Sequence, residues 1–106
     1  MTIFEPKNLS EIVAASYKSL VVVDCKASWC APCKAIHPHI VALSGQLPSV
    51  TFMEIDVEDP DHQDTVEKFG VSAMPTFIYI RNGKILQKTT GANLELIKAT
   101  ITALSA

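Results

Sequence analysis

The chain has little of several things that mark whole classes of protein. No apolar run is longer than that of Leu20-Val21-Val22-Val23, far short of the roughly 20 residues that a membrane-spanning helix needs, so no membrane contact is expected. No block of like charge occurs either. Nine Lys and Arg stand against 11 Asp and Glu, for a net charge of -2, which leaves no basic face for nucleic acid and no electrostatic anchor for a membrane surface. Only three cysteines are present, too few and odd in number for a disulfide-stapled secreted scaffold. The first twenty residues carry Glu5, Lys7 and Glu11 among their apolar positions, unlike the basic stretch and continuous apolar stretch of a signal peptide. Export is therefore not expected, and a cytoplasmic protein is. Internal repeats, low-complexity segments and linkers are also missing.

What is present suits one compact unit. With 106 residues, 48% hydrophobic and 19% charged, the chain can bury a core but not two, so residues 1-106 are expected to form a single domain. Thr2-Ile3-Phe4 reads as a short edge strand ended by Pro6. Asn8-Leu9-Ser10-Glu11 has capping-box spacing, and Leu9, Ile12, Val13 and Tyr17 recur at helical intervals, which predicts a helix over 8-18. Residues 20-25 are β-branched and apolar on both faces, the mark of a central strand covered by helices. Ile36, Ile40, Leu43 and Leu47 predict a helix from Ala31 or Pro32 to about Ser44, kinked at Pro38 and capped by Gly45.

A strand follows over 50-56, then a short helix from Asp61 as N-cap to Phe69, with Gly70 beyond its end. Two further strands, 76-80 and 85-89, flank Asn82-Gly83, a hairpin turn signal that makes them antiparallel. Asn93 caps a last helix with Leu94, Ile97, Ile101 and Leu104 on one face. The order predicts an α/β fold with a mixed central sheet flanked by helices on both faces.

The chemistry is concentrated in Trp29-Cys30-Ala31-Pro32-Cys33-Lys34. Two cysteines at this spacing can cycle between dithiol and disulfide, supply half of a metal site, or lie inert in a core. Structural zinc needs two more ligands, and the remaining candidates are Cys25, in a covered strand, and His37, His39 and His62. His37 and His39, two apart on a helix, point in different directions, so no metal is expected. The redox reading has a direct cause. Cys30 sits at the start of a helix, where free amides and the positive end of the dipole stabilise an anion, and so is expected to be the attacking sulfur. Cys33, one turn further in and more shielded, is expected to resolve the intermediate.

The segment Val23-Asp24-Cys25-Lys26-Ala27-Ser28-Trp29-Cys30-Ala31-Pro32-Cys33-Lys34 resembles the active-site segment of thioredoxins. Ala73-Met74-Pro75-Thr76-Phe77 is similar to their cis-proline loop, and Arg81-Asn82-Gly83-Lys84 with Gly91-Ala92-Asn93 to their last hairpin and helix start. The resemblance covers essentially the whole chain and implies a thioredoxin fold. It further implies a protein-disulfide reductase that carries electrons in cell redox homeostasis, through a mixed disulfide on Cys30 released by Cys33. Asp24 matches the family's buried carboxylate, with a raised pKa, able to take the Cys33 proton through water. Trp29, Ala31, Pro32, Met74, Pro75, Gly91 and Ala92 match the substrate-docking surface, Met74-Pro75 through a cis peptide whose backbone pairs with an extended segment.

No bound cofactor is implied, NADPH acting indirectly through thioredoxin reductase. The implied partners are that reductase and disulfide-containing proteins such as peroxiredoxins and reductases, met by a monomer. A binding module on the same fold and an oxidant of the protein-disulfide-isomerase type are the competing functions. Ala31-Pro32, in place of a Pro-His or Gly-His dipeptide, speaks against the second. Three positions depart from the family pattern. Ala31 replaces a usual Gly, Cys25 replaces a usual aromatic and is expected to be a core thiol, and Lys26 replaces another. Alternation puts Lys26 on the same side as Asp24, where its ammonium is expected to lower the Asp24 pKa.

Overall fold

A computed structural model describes residues 3-105. Among these, five strands and four α-helices alternate: β1 Ile3–Phe4, α1 Leu9–Ser16, β2 Leu20–Lys26, α2 Ala31–Gln46, β3 Val50–Asp56, α3 Gln63–Phe69, β4 Thr76–Arg81, β5 Lys84–Thr90 and α4 Leu94–Leu104. The strands form one sheet in the order β1-β3-β2-β4-β5. β2 is central, parallel to β3 and antiparallel to β4, and β3 is parallel to β1 at one edge. β5 closes the other edge against β4.

Alternation along β2 divides the core. Leu20 and Val22 pack with Phe52, Phe77 and Tyr79 under Ile36, Ile40 and Leu43 of α2 and Ile97 and Ile101 of α4. Val21, Val23 and Cys25 face the other way, toward Ile12 of α1 and Phe69 of α3. Each such side chain, fully buried, contributes about 1.5-3 kcal/mol of apolar transfer. The next even-numbered positions of β2 after Val22 are Asp24 and Lys26, so the face that holds α2 and α4 ends in an acid and a base.

Local signals explain most element ends. The Asn8 side chain accepts from the Glu11 amide at 3.1 Å, while Glu11 Oε1 reaches back to the Lys7 amide at 2.7 Å. Asn93 accepts from the Leu96 amide at 3.0 Å. Gly70 ends α3 at φ 62, and Asn82 (φ 53) and Gly83 (φ 76) turn the hairpin, both in the left-handed pair that a two-residue turn requires.

Three expectations are corrected. Gly45 does not cap α2, which continues through Pro38 and Gly45 to Gln46 and ends at Leu47, where the backbone leaves the helix without a left-handed residue. Asp61 is not the N-cap of α3. The N-cap position of α3 is His62, whose side chain makes no capping bond, and Asp59 caps the single 3-10 turn over Pro60–His62 that leads into the helix, accepting from the Asp61 amide at 2.9 Å. The buried stripe of α1 runs through Ile12 and Ser16, and Tyr17 is exposed beyond its end. Thr2, placed in the first strand by the sequence, lies outside the described residues.

Candidate active site

β2 ends at Lys26, and the chain turns through Ala27, Ser28 and Trp29, a turn closed by the Cys30 amide donating to the Ala27 carbonyl at 3.1 Å. Cys30 is thereby the N-cap of α2. Its Sγ accepts from the Cys33 amide at 3.2 Å, and Pro32 occupies the first turn, where a missing N–H is no loss. Cys30 and Cys33 form a disulfide with their Cα atoms 5.3 Å apart.

The expectation that Cys33 is the more shielded sulfur is not reflected in residue exposure, which is 3% for Cys30 and 4% for Cys33. What separates them is position. Cys30 lies at the mouth of the helix, beside its free amides, and Cys33 lies inside the first turn.

Ala27, Cys30 and Cys33 form a small apolar cluster, with Met74 and Val57 packed against it. The Met74-Pro75 peptide is cis. The Gly91 amide donates to the Pro75 carbonyl at 2.8 Å, which fastens the end of β5 to this loop. Gly91 has φ 100, a backbone that a side chain would strain. Ala92 beside it, Ala31 and Pro32 are exposed, and Trp29 is 63% exposed. The sequence-predicted docking residues thus divide into Met74, Pro75 and Gly91, joined around the disulfide, and exposed Trp29, Ala31, Pro32 and Ala92.

Asp24 is 2% exposed, and its Oδ1 has no hydrogen-bond partner among the described residues. Burial pushes its carboxyl up from 3.8 to about 7, the negative charge of Glu54 pushes the same way, and Lys26 pulls it down. The direction expected for Lys26 is thus present, but Lys26 pairs with Glu54, Nζ to Oε1 at 3.5 Å. A cavity of about 300 Å³ lies against Cys33, lined also by Lys26, Ala27, Lys34, His37 and Asp56. It is large enough for several waters. Cys25 is fully buried on the opposite face of β2, and burial pushes its thiol well above the ordinary range, with the Asp24 charge adding to the effect.

Sequence reasoning missed Val57 and Ala27 in the cysteine cluster, and missed Glu54 and His37. For Glu54 a signal existed. It follows Val50 and Phe52 at alternate positions of an apolar strand, the same argument that singled out Asp24. For His37 there was none, since its contact depends on how α2 crosses β3.

A disulfide across the first turn of a helix is a bond that a thiolate can open, and exposed Trp29, Ala31 and Pro32 flank it. The class of protein so defined is the dithiol-disulfide oxidoreductases. Comparison with known proteins carries this further. The family profile described as Thioredoxin matches residues 1–103. Thioredoxin of Gallus gallus is 45% identical over 95 residues, covering 90% of this chain and 88% of that protein.

Among solved structures, Fasciola hepatica thioredoxin has TM-score 0.88 and 34% identity, covering 95% of this chain and 98% of that one. A chain from a structure describing the thiol resolving mechanism of yeast mitochondrial 1-Cys peroxiredoxin via the glutathione and thioredoxin systems has TM-score 0.87 and 31% identity. The match covers 96% of this chain and 95% of that one. The chain belongs to the thioredoxin family, and Cys30–Cys33 is its redox-active disulfide.

Proposed function

We propose that the protein reduces disulfides of partner proteins, with Cys30 as the attacking sulfur, Cys33 as the resolving one and Asp24 as the acceptor of the Cys33 proton. In the reduced protein the Cys30 thiolate attacks one sulfur of the partner's disulfide, the S–S bond breaks, and the partner's other sulfur leaves as a thiolate that takes a proton. Cys33 then passes its proton to Asp24 through water, and its thiolate attacks Cys30 Sγ. The mixed disulfide breaks, the partner leaves with its second sulfur as a thiolate, and Cys30–Cys33 forms. The partner gains two electrons and the cysteine pair loses two.

The observation that carries this reading is the N-cap position of Cys30, with its Sγ accepting from the Cys33 amide, because the same free amides favour a thiolate there over the thiol. For Asp24 the support is its burial on the α2 face of β2, two residues before Lys26, which lines the cavity against Cys33. Trp29, Ala31, Pro32, Met74, Pro75, Gly91 and Ala92 form the docking surface, with the backbone at Met74 pairing an extended segment of the partner.

The electrons come from NADPH through thioredoxin reductase, and disulfide-containing proteins, peroxiredoxins and reductases among them, are the recipients. A structure similar to this chain comes from such a peroxiredoxin system. The protein works as a monomer in the cytoplasm, the compartment being supported by three cysteines, too few and odd in number for a disulfide-stapled secreted scaffold.

The test is insulin reduction coupled to NADPH and thioredoxin reductase. Wild-type protein is expected to turn over. Cys30→Ser is expected to lose all activity, and Cys33→Ser to accumulate a mixed disulfide on Cys30, visible by mass spectrometry. Retained activity in Cys30→Ser, or trapping of the partner on Cys33 instead, defeats the assignment. Sedimentation velocity tests the monomer, and fractionation of the producing cells tests the compartment, enrichment in mitochondria being the opposing result.

A further inference from the structure

Glu54 is a second carboxyl beside Asp24, and the proton transfer described above makes no use of it. The two Cα atoms are partners in register across β2 and β3, and Glu54 is itself nearly covered. Its two oxygens are held from two different elements. Lys26 Nζ of β2 lies 3.5 Å from Oε1, and His37 Nδ1 of α2 lies 3.7 Å from Oε2. Oε2 has no hydrogen bond among the described residues, so its only compensation is the imidazole, and that is electrostatic. Lys26 and His37 also line the cavity against Cys33, so the groups that hold Glu54 face the resolving cysteine as well.

We propose that Glu54, held by Lys26 and His37, is a positioning group for proton transfer at Asp24, and that protonation of His37 decides how strongly Glu54 opposes ionisation of Asp24. The sign follows from charge alone. An ionised Glu54 disfavours a second negative charge on Asp24. Lys26 and a protonated His37 offset that charge. A neutral His37 does not offset that charge, and Asp24 then keeps its proton to higher pH.

Other charged groups face the same region. A smaller cavity of about 180 Å³ brings Glu5, Asp56, Asp59 and His62 to Glu54 and Lys26, and Lys34 lines the larger one. The acids oppose ionisation of Asp24 and Lys34 favours it, but none of these groups is in register with Asp24 as Glu54 is, and all are unchanged in the variants below.

The kinetic half of this inference rests on Asp24 as proton acceptor for Cys33, and the coupling itself does not. It is read in the oxidised protein, where neither disulfide sulfur titrates, by following the carboxyl ¹³C resonance of Asp24 against pH, assigned with Asp24→Asn. Glu54→Gln, close in shape, is expected to lower the Asp24 midpoint by about one pH unit. His37→Gln is expected to raise it, and His37→Lys, which keeps a positive charge at every pH, to restore or lower it. An unchanged midpoint in both Glu54→Gln and His37→Gln, or equal shifts in His37→Gln and His37→Lys, overturns the proposal.

The kinetic arm uses a small aromatic disulfide and reduced protein. Its first phase of aromatic thiolate release reports Cys30 attack and its second reports Cys33. The pH profile of the second phase is expected to move with the resonance midpoint in each variant. Midpoints that move while the second phase does not support the coupling and overturn Asp24 as the proton acceptor.

Discussion

Asp24 and Glu54 are Cα partners in register on neighbouring parallel strands, so two carboxyls lie side by side where water is largely excluded. An acid whose folded pKa is raised is bound to its proton more tightly in the native state than in the unfolded one. Its contribution to stability is complete below the unfolded value and disappears as pH rises through the folded value. For Asp24 that window runs from 3.8 to about 7.

The first prediction follows. Oxidised wild-type protein loses stability across this window, by about 4 kcal/mol at most from Asp24 alone, while Asp24→Asn lacks this component. Urea denaturation of both proteins from pH 4 to 8 is expected to give a stability difference that grows in favour of the variant. A difference independent of pH contradicts the burial argument.

The hairpin tip is fastened to the end of α1. The Asn82 amide donates to the Ser16 carbonyl at 2.8 Å and the Gly83 amide to Ser16 Oγ at 2.9 Å. A Cβ at Gly83 would also come within 2.5 Å of the Tyr17 hydroxyl oxygen. Tyr17 is exposed, so its ring can swing aside and the left-handed backbone sets most of the cost. Gly83→Ala is expected to destabilise by about 1-2 kcal/mol, with Tyr17→Ala restoring little of it. Ser16→Ala is expected to cost about 1 kcal/mol, both read as shifts in urea midpoint at unchanged slope.

Ala92 is exposed beside Gly91, which is bonded to Pro75. If this rim receives partner proteins, a charge there interferes with docking and leaves the sulfur chemistry untouched. Ala92→Glu is expected to lower kcat/KM for insulin reduction about tenfold, equivalent to about 1.4 kcal/mol, and to leave the rate with a small aromatic disulfide unchanged. An equal fall in both rates places the effect on the dithiol instead.

Cys25 is fully buried, with its thiol pKa raised by burial and by the Asp24 charge. Reaction with a thiol reagent therefore requires unfolding rather than surface access. In oxidised protein, the labelling rate at Cys25, followed by mass spectrometry, is expected to be negligible without denaturant and to rise in step with unfolding. Rapid labelling of the native protein contradicts this burial argument.

Sequence by itself determined the order of elements, the central strand, the hairpin and the redox pair, because each has a local cause. β-branched runs favour strands, Asn-Gly has a backbone suited to a tight turn, and two cysteines one helical turn apart can close a disulfide. It also marked Asp24, since an acid within an apolar strand stands out in one dimension. Local signals misled at Gly45 and Asp61, where α2 continued and where a 3-10 turn capped by Asp59, one residue before a proline, precedes α3. Only the tertiary structure decided what surrounds the disulfide and how charge is balanced behind it. Met74 reaches the cysteines, Gly91 reaches Pro75, and Glu54 meets Lys26 and His37 across β2, β3 and α2. These contacts join residues far apart in the chain, and their distances follow from strand register and the crossing of a helix over a sheet, which no local pattern records.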